Sequence, residues 1–267
     1  MSRVPAFLFS VLVLCAATVA ARADATPKSA LQEAVDALAA QAPSVKADDP
    51  WHVKLSSTWV SKYVGYLGPE LSTTPAVQSE LVISEPSGWH VSAWWSTGLQ
   101  ETEAATKADQ LDITVGHTWK WGATSLAADL VYKDFIPLSM KEGDALVPRL
   151  RLTHDLDLGE YGKLKPYLQA ECWEVLPDYT RRPVAMAGAD YSVRLCGPLS
   201  LRAGASALFD YGTAVADRGW LFTSSVGLEY KLTDNVTLGA YIKEFGPHQL
   251  RDRRHEEVVS FALTINL

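Results

Sequence analysis

From Trp51 to the end of the chain, apolar and polar residues alternate in short segments, and no helical period persists. Alternation with a period of two places one set of side chains on each face of a β-strand. The last segment illustrates this, because Val259, Phe261 and Leu263 share one face while Ser260 lies on the other. The pattern predicts twelve strands, near 51–64, 75–84, 89–98, 109–119, 123–133, 146–155, 163–174, 183–195, 198–209, 219–232, 236–246 and 256–267.

The links between the predicted strands alternate in length. Short turns such as 85–88 and 233–235 follow longer polar links such as 65–74 and 134–145. An even strand number with short turns at one end and long loops at the other is typical of an outer-membrane β-barrel. We therefore predict an all-β, antiparallel up-and-down transmembrane barrel of about twelve strands, with ten or fourteen as alternatives. A soluble β-sandwich would share the alternation, but it does not account for the regular change in link length.

Aromatic residues test this topology independently, because tryptophan and tyrosine favour the two membrane interfaces. The predicted strands bring two groups of aromatic residues to opposite ends of the barrel. At the short-turn, periplasmic end these are Trp51, Trp89, Trp119, Trp121 and Tyr161. At the outer end they are Tyr63, Tyr132, Phe135, Trp173, Phe209, Tyr211, Trp220, Phe222 and Phe245.

The first fifty residues have a different character. Arg3 precedes an apolar run over 6–15, and Ala21-Arg22-Ala23 fits a cleavage site, so residues 1–23 are predicted to be a secretory signal peptide. Residues 24–50 are predicted to form a periplasmic helix, over 27–42, and a polar linker. That helix could plug the barrel, lie against the periplasmic turns or pair with a second copy. Residues 51–267 form the predicted barrel domain.

Charge and location narrow the range of partners. Loss of Arg3 and Arg22 with the signal peptide lowers the formal net charge from −7 to −9. An acidic, exported chain is a poor candidate for binding nucleic acid. The predicted location is the cell outer membrane, with lipid, lipopolysaccharide, the outer-membrane assembly machinery and small solutes as partners.

If the apolar face of each strand meets lipid, the polar face lines a lumen. The inward set then contains ten basic residues, namely Lys54, Lys62, Lys133, Arg149, Arg151, Lys165, Arg194, Arg202, Lys231 and Lys243. It contains six acidic residues, namely Glu80, Asp112, Asp129, Glu171, Asp190 and Glu229. Charge of one sign along a pore wall sets ion selectivity. The excess of basic residues predicts a narrow channel that favours anions.

Two arginines and one tryptophan are the most specific lumen candidates. Arg149 and Arg151 project from the same face of one strand, and arginine binds carboxylates and phosphates in a bidentate manner. They could instead pair with Glu171 and Asp129 as structural filling. Trp94 follows the same alternation into the lumen, as a filler or a stacking surface, whereas its neighbour Trp95 faces lipid.

Catalytic and metal-binding sites are not expected. His90 and Ser92 have a His-x-Ser spacing found in some outer-membrane lipid hydrolases, but here the pair faces inward near the periplasmic end. His117 and His154 fall on outward faces two strands apart, with no third ligand. We predict no catalytic residue, no metal and no cofactor.

Short motifs between residues 56 and 99 carry a family resemblance. Ser61-Lys62-Tyr63 is followed by Gly65, Pro-Ala-Val-Gln occupies 75–78, and Ser-Gly-Trp occupies 87–89 ahead of Trp94 and Trp95. This order resembles the start of the TorF-type porin family. That family usually has arginine where this chain has Val64, and it tends to end on an aromatic residue rather than on leucine as here.

The resemblance implies an outer-membrane barrel that passes solutes, and it supplies no substrate. The resulting hypothesis is a porin-like channel for passive diffusion of small, in particular anionic, solutes. The alternative is a non-conducting structural or adhesive barrel that is plugged by its N-terminal helix.

Overall fold

The computed structural model describes residues 51–68, 70–99, 109–134, 144–176, 180–212, 218–250 and 254–267. The predicted signal peptide and the predicted helix over 27–42 lie outside these residues. Twelve long strands account for most of the described chain. They are β1 (His52–Val60), β2 (Ala76–Ser84), β3 (Trp89–Gly98), β4 (Gln110–Trp121), β5 (Thr124–Asp134), β6 (Ala145–His154), β7 (Lys163–Val175), β8 (Thr180–Cys196), β9 (Leu199–Asp210), β10 (Gly219–Lys231), β11 (Val236–His248) and β12 (Glu256–Asn266).

The twelve strands form one closed antiparallel barrel. Each strand pairs with the next in sequence, and β12 pairs with β1, for example Ile265 with Leu55. Closure leaves no unpaired strand edge. The prediction of a twelve-stranded, all-β, antiparallel barrel is therefore confirmed. Among the described residues no helix is long and apolar enough to cross a membrane.

The barrel is apolar on the outside and polar on much of the inside. Large apolar side chains remain exposed on the outer wall, including Leu150 at 53%, Leu168 at 59% and Phe261 at 56%. Trp95 lies on this wall, 38% exposed, while Trp94 points inward and is half-buried. In water such a surface would be costly, because each exposed apolar side chain forgoes about 1.5–3 kcal/mol of burial energy. It suits a lipid surrounding.

Aromatic residues flank this apolar wall at both ends. At the short-turn end Trp51, Trp121 and Tyr161 are among the exposed residues. At the long-loop end Phe209 packs edge-to-face against Tyr211 and Trp220, with ring centroids 4.6 and 4.9 Å apart. The paired girdles are present at these positions.

Three members of the predicted outer girdle were assigned wrongly. Tyr63, Trp173 and Phe245 are buried inside the barrel. Trp173 and Phe245 occupy inward positions of β7 and β11, and Tyr63 belongs to a segment that leaves the wall. Phe135, also assigned to this girdle, lies outside the described residues.

The first strand is shorter than the predicted 51–64, because the chain leaves the wall after Val60. Residues 61–75, called the inserted loop below and described except for residue 69, fold into the lumen. A small hairpin of Tyr63–Val64 and Glu70–Ser72 stiffens the loop. Its turn needs glycine at Gly68, where φ is +94° and the N–H donates to the Gly65 carbonyl at 2.8 Å.

Candidate functional site: the lumen

The inserted loop crosses the lumen from β1 to the opposite wall. Near its start, Tyr63 donates a hydrogen bond to Gln110 of β4 and packs against Trp94 of β3, with ring centroids 6.2 Å apart. Further along, the hydroxyl of Tyr66 accepts a hydrogen bond of 2.8 Å from Gln169 Nε2 on β7. A loop fixed to strands β3, β4 and β7 cannot lie on the outer surface, and it spans the pore.

The loop is held at its start by charge. Lys62 donates a hydrogen bond to Glu256, the first residue of β12, and lies 3.6 Å from Glu70 of the loop itself. The hydrogen bond to Glu256 raises the pKa of Lys62 above its ordinary value. A lysine paired in this way stays charged throughout the physiological range.

Apolar side chains complete an outer plug, formed by the inserted loop and a ring of inward wall residues. Val64 and Leu67 of the loop are buried within it. Every strand contributes at least one buried inward residue near its long-loop end. One for each of β1 to β12 in order is Val60, Ala76, Ser96, Gln110, Val131, Val147, Trp173, Val184, Leu208, Leu221, Phe245 and Val258. The outer half of the lumen is therefore packed like a protein core.

A polar cluster forms the floor of the plug. Gln169 Nε2 donates to Glu171 Oε1 at 2.8 Å, and Trp173 Nε1 donates to Glu171 Oε2 at the same distance. Glu171 does not lie within 4 Å of Arg149, whose carboxylate partner is Asp129, so Glu171 is not the ion partner of Arg149 that structural filling of the lumen would require. Lys133 bonds Asp112 and lies 5.3 Å from the centroid of the Trp173 ring.

Arg149 belongs to a separate group with His90 and Asp129. Arg149 Nε donates to Asp129 Oδ2 at 2.8 Å, and His90 Nε2 lies 3.0 Å from Asp129 Oδ1. His90 and Asp129 stand on β3 and β5, in register with Gly116 of β4 between them. A Cβ at Gly116 would lie 2.1 Å from Asp129 Oδ1 and 2.7 Å from His90 Nε2. Glycine at 116 is what allows this bond to pass over a strand.

Arg151 lies nearer the middle of the lumen, where its guanidinium group stacks on the ring of Tyr167. Its guanidinium carbon is 3.8 Å from the centroid of the Tyr167 ring, and its Nη1 donates to Gln169 Oε1 at 3.3 Å. Asp190 lies 3.6 Å from its Nη2. Stacking fixes the guanidinium plane and leaves about a third of the side chain exposed to the lumen.

The short-turn half of the lumen is open and charged. A cavity of about 650 Å³ lies there, lined by Lys165, Asp190, Arg202, Glu229 and Tyr241, among other residues. Lys165 pairs with Asp155 at 2.9 Å. Glu229 accepts hydrogen bonds of 2.7 Å from both Arg202 Nε and the Tyr241 hydroxyl.

The predicted inward cations are paired more fully than their number suggests. Lys54 lies 3.4 Å from Glu80, and Lys231 lies 2.9 Å from Asp234 in the adjoining turn. Together with the pairs above, eight of the ten lie within 4 Å of a carboxylate. Within the described ranges, Arg194 and Lys243 have no such partner, and Lys243 instead lies 4.6 Å from the centroid of the Phe245 ring. Three of the partner carboxylates, those of Asp155, Glu256 and Asp234, are not among the six predicted inward acids. They lie at strand ends and in turns.

Several lumen residues were not predicted from the sequence. Tyr66, Gln169, Tyr167 and Tyr241 carry much of the lumen's hydrogen bonding and stacking. The apolar run Val-Gly-Tyr-Leu at 64–67 was an available signal, because an outer loop exposed to water has no reason to be so apolar.

The two outward histidines differ, because His117 packs between aromatic rings whereas His154 Nδ1 lies 2.8 Å from the Thr124 hydroxyl. His117 lies between Trp89 and Trp119, with ring centroids 4.9 and 4.5 Å away. Over the part of the chain that the structure describes, no group of three or more histidine, cysteine or acidic side chains could hold a metal ion.

Comparison with known proteins identifies the fold. No protein-family model and no curated protein sequence matches the chain. Among solved structures, it is similar to the KdgM porin (TM-score 0.51, 10% identity, 80% of this chain and 98% of that one). It is also similar to the NanC porin (TM-score 0.52, 12% identity, 80% of this chain and 100% of that one). A third similar structure is an outer membrane channel from Pseudomonas putida F1 (TM-score 0.52, 12% identity, 84% of this chain and 100% of that one). At these identities the likeness shows the fold alone, that of outer-membrane porin barrels.

Proposed function

We propose that the protein is an outer-membrane, porin-like channel through which small solutes, anions in particular, diffuse passively. The observation that carries this proposal is a closed barrel with an apolar outer wall and a charged, stacked and partly open lumen. Charged side chains that only fill a barrel would be fully paired, whereas Arg194 and Lys243 have no carboxylate within 4 Å among the described residues, and a cavity of about 650 Å³ remains in the short-turn half of the lumen.

Supporting evidence comes from the fold and from the short-turn half of the lumen. The solved barrels with similar folds are porins and an outer membrane channel by name. The side chains of Arg151 and Arg202 remain 35% and 49% exposed, and Asp190, which lies 3.6 Å from Arg151, lines the same cavity as Arg202. Guanidinium groups that line a pore favour anions over cations of similar size.

Membership of the TorF-type porin family is part of this proposal. It is supported by the motifs at 61–65, 75–78 and 87–89, which lie at the start of the inserted loop, at its end and at the start of the aromatic strand β3. The proposed surroundings follow from the same placement. They are lipid around the apolar wall, lipopolysaccharide at the long-loop end and the outer-membrane assembly machinery during insertion.

One observation favours the alternative of a non-conducting barrel, namely the packed outer half of the lumen. The element that packs it in the described structure is the inserted loop. We therefore propose that the channel is closed when this loop is in place and conducts when it moves.

Solute uptake by liposomes containing the folded protein tests the proposal. Swelling should be faster in small carboxylate or phosphate salts than in neutral sugars of equal mass. It should accelerate when Tyr66 and Leu67 are both replaced by serine, because the plug loses its central contacts. Equal, protein-independent swelling in all solutes, also for the double variant, would leave the structural barrel as the better account.

A further inference from the structure

A second cavity lies at the short-turn mouth of the barrel, next to the charged half of the lumen. Its volume is about 360 Å³, and three basic side chains line it, Lys163 of β7, Arg194 of β8 and Arg202 of β9. Two hydroxyl-bearing residues, Ser192 and Ser200, lie between them. The one acidic residue that lines this cavity, Glu160, belongs to the turn Gly159–Tyr161.

Strand register explains why these groups meet. Lys163 pairs with Ser192, and Ser192 pairs with Arg202, so the three residues form one row across β7, β8 and β9. Arg194 and Ser200 form the next row towards the turn. At about 4.8 Å between strands, Lys163 and Arg202 stand about 10 Å apart at their Cα atoms. Their long side chains can therefore reach one small ligand from two sides.

The charges of this cluster are incompletely balanced. Arg202 is bonded to Glu229, as described above. Within the described residues, neither Lys163 nor Arg194 has a carboxylate within 4 Å. Asp157 is opposite Lys163 in register, but its carboxylate lies beyond 4 Å from the lysine ammonium, and its Oδ1 accepts the Gly159 N–H at 2.9 Å.

We propose that this cluster, called the mouth site, binds a tetrahedral oxyanion, as inorganic phosphate or as the phosphate group of a small organic solute. A phosphoryl group has at least three acceptor oxygens and up to two negative charges, so it can use all three cations and the serine hydroxyls together. A planar carboxylate can bind one guanidinium group in a bidentate manner, and the other basic side chains of the cluster are then left without an anionic partner. The mouth site would concentrate phosphorylated solutes at the periplasmic end of the channel.

The role of the mouth site in transport rests on the proposed channel function. Phosphate binding to the site can be measured separately, without recording ion current. The protein, folded into lipid nanodiscs, is titrated with inorganic phosphate at constant ionic strength by isothermal titration calorimetry. Glycerol 3-phosphate and succinate are titrated in parallel. Phosphate and its ester should bind at a single site, and succinate should bind about tenfold more weakly, as expected when charge-assisted hydrogen bonds are lost.

Substitution locates the site. Arg194→Gln and Lys163→Gln should each weaken phosphate binding about tenfold, because each removes one of the unpaired cations. Lys120→Gln is the matched control, since Lys120 is an exposed lysine at the same end of the barrel, on β4, outside the cluster. The phosphate affinity of the Lys120→Gln variant should stay within about twofold of that of the wild type.

The outcomes separate this inference from the channel itself. Phosphate binding that depends on Arg194 supports the mouth site even if bilayers containing the protein carry no current. Current without phosphate binding, or binding unaffected by Arg194→Gln and Lys163→Gln, overturns the mouth site and leaves the channel proposal standing. Binding of the ester but not of free phosphate would assign the site to organic phosphates, whereas the reverse result would assign it to the free ion.

Discussion

Tyr66 and Gln169 meet across the lumen, where the side-chain amide of Gln169 donates a 2.8 Å hydrogen bond to the tyrosine hydroxyl. The two residues are 103 positions apart in the chain. One belongs to the inserted loop and the other to the middle of β7. This contact joins the loop to the far wall of the barrel.

Removing the hydroxyl should loosen the loop. Tyr66→Phe deletes one hydrogen bond worth about 1 kcal/mol, so the open population of the loop should rise about fivefold. Hydrogen exchange at the Gly68 amide, which closes the loop's turn, measures this directly. Tyr161→Phe, at an exposed turn on the opposite end, serves as the control and should leave that amide unchanged. Equal protection in all three proteins would show that Tyr66 does not hold the loop.

Gly116 should not tolerate alanine. The new methyl would overlap the Asp129 carboxylate and the His90 ring, and relieving that overlap breaks their bond. Overpacking of this kind costs about 1–3 kcal/mol, which urea unfolding in lipid or detergent can measure. Gly246→Ala is a suitable control, because a Cβ there meets only ordinary contacts at 3.8 and 4.0 Å. Similar losses at the two positions would contradict the account of the His90–Asp129 bond.

Arg151 should contribute to selectivity. Arg151→Gln removes one exposed positive charge from the lumen wall, so the ratio of anion to cation permeability should fall about twofold, which corresponds to about 0.4 kcal/mol. Reversal potentials in a salt gradient report this ratio. Arg181→Gln makes the same chemical change on the outward face, where the side chain is 75% exposed, and should have no effect. A shift of equal size for Arg181→Gln would point to a general surface-charge effect.

The contact between Lys62 and Glu256, which holds the start of the inserted loop, should be lost only at high pH. The hydrogen bond to Glu256 raises the pKa of Lys62 above its ordinary value of 10.5. The charged lysine therefore stabilises the closed loop fully below about pH 10.5, and this stabilisation is lost as the pH rises through the raised pKa of Lys62. Burial also raises the pKa of Tyr63, which delays ionisation of that phenol. Conductance should therefore increase above pH 10.5 in the wild type. In Lys62→Arg, whose guanidinium stays charged, the increase should be absent, and its persistence would exclude Lys62 as the titrating group.

The wall of the barrel was predictable from the sequence, because alternation and link length are local properties. Trp94 and Trp95 illustrate this, since adjacent positions on a strand must face opposite ways. The inserted loop was not predictable in the same way. Its position depends on contacts such as Tyr66 with Gln169, and no local period encodes a contact between residues so far apart in the chain. Trp173 was misplaced for a related reason, because an aromatic residue near a strand end suits either the interface or a packed lumen.

Charge pairing shows a similar limit. Strand alternation correctly grouped Arg149 with Asp129, since register fixes neighbours on one face. It did not reveal Asp155 beside Lys165 or Asp234 beside Lys231, because turns have no alternation to follow. The role of these residues in binding a solute remains a prediction.

The most direct test of the channel is ion current through the protein in a planar lipid bilayer, measured in a salt gradient for the wild type and for the Tyr66→Ser, Leu67→Ser double variant. We expect discrete conductance steps with a reversal potential that favours anions. The variant should spend more time open or conduct more. Silence of both proteins, with folding and insertion verified, would contradict the account and identify a barrel that does not conduct.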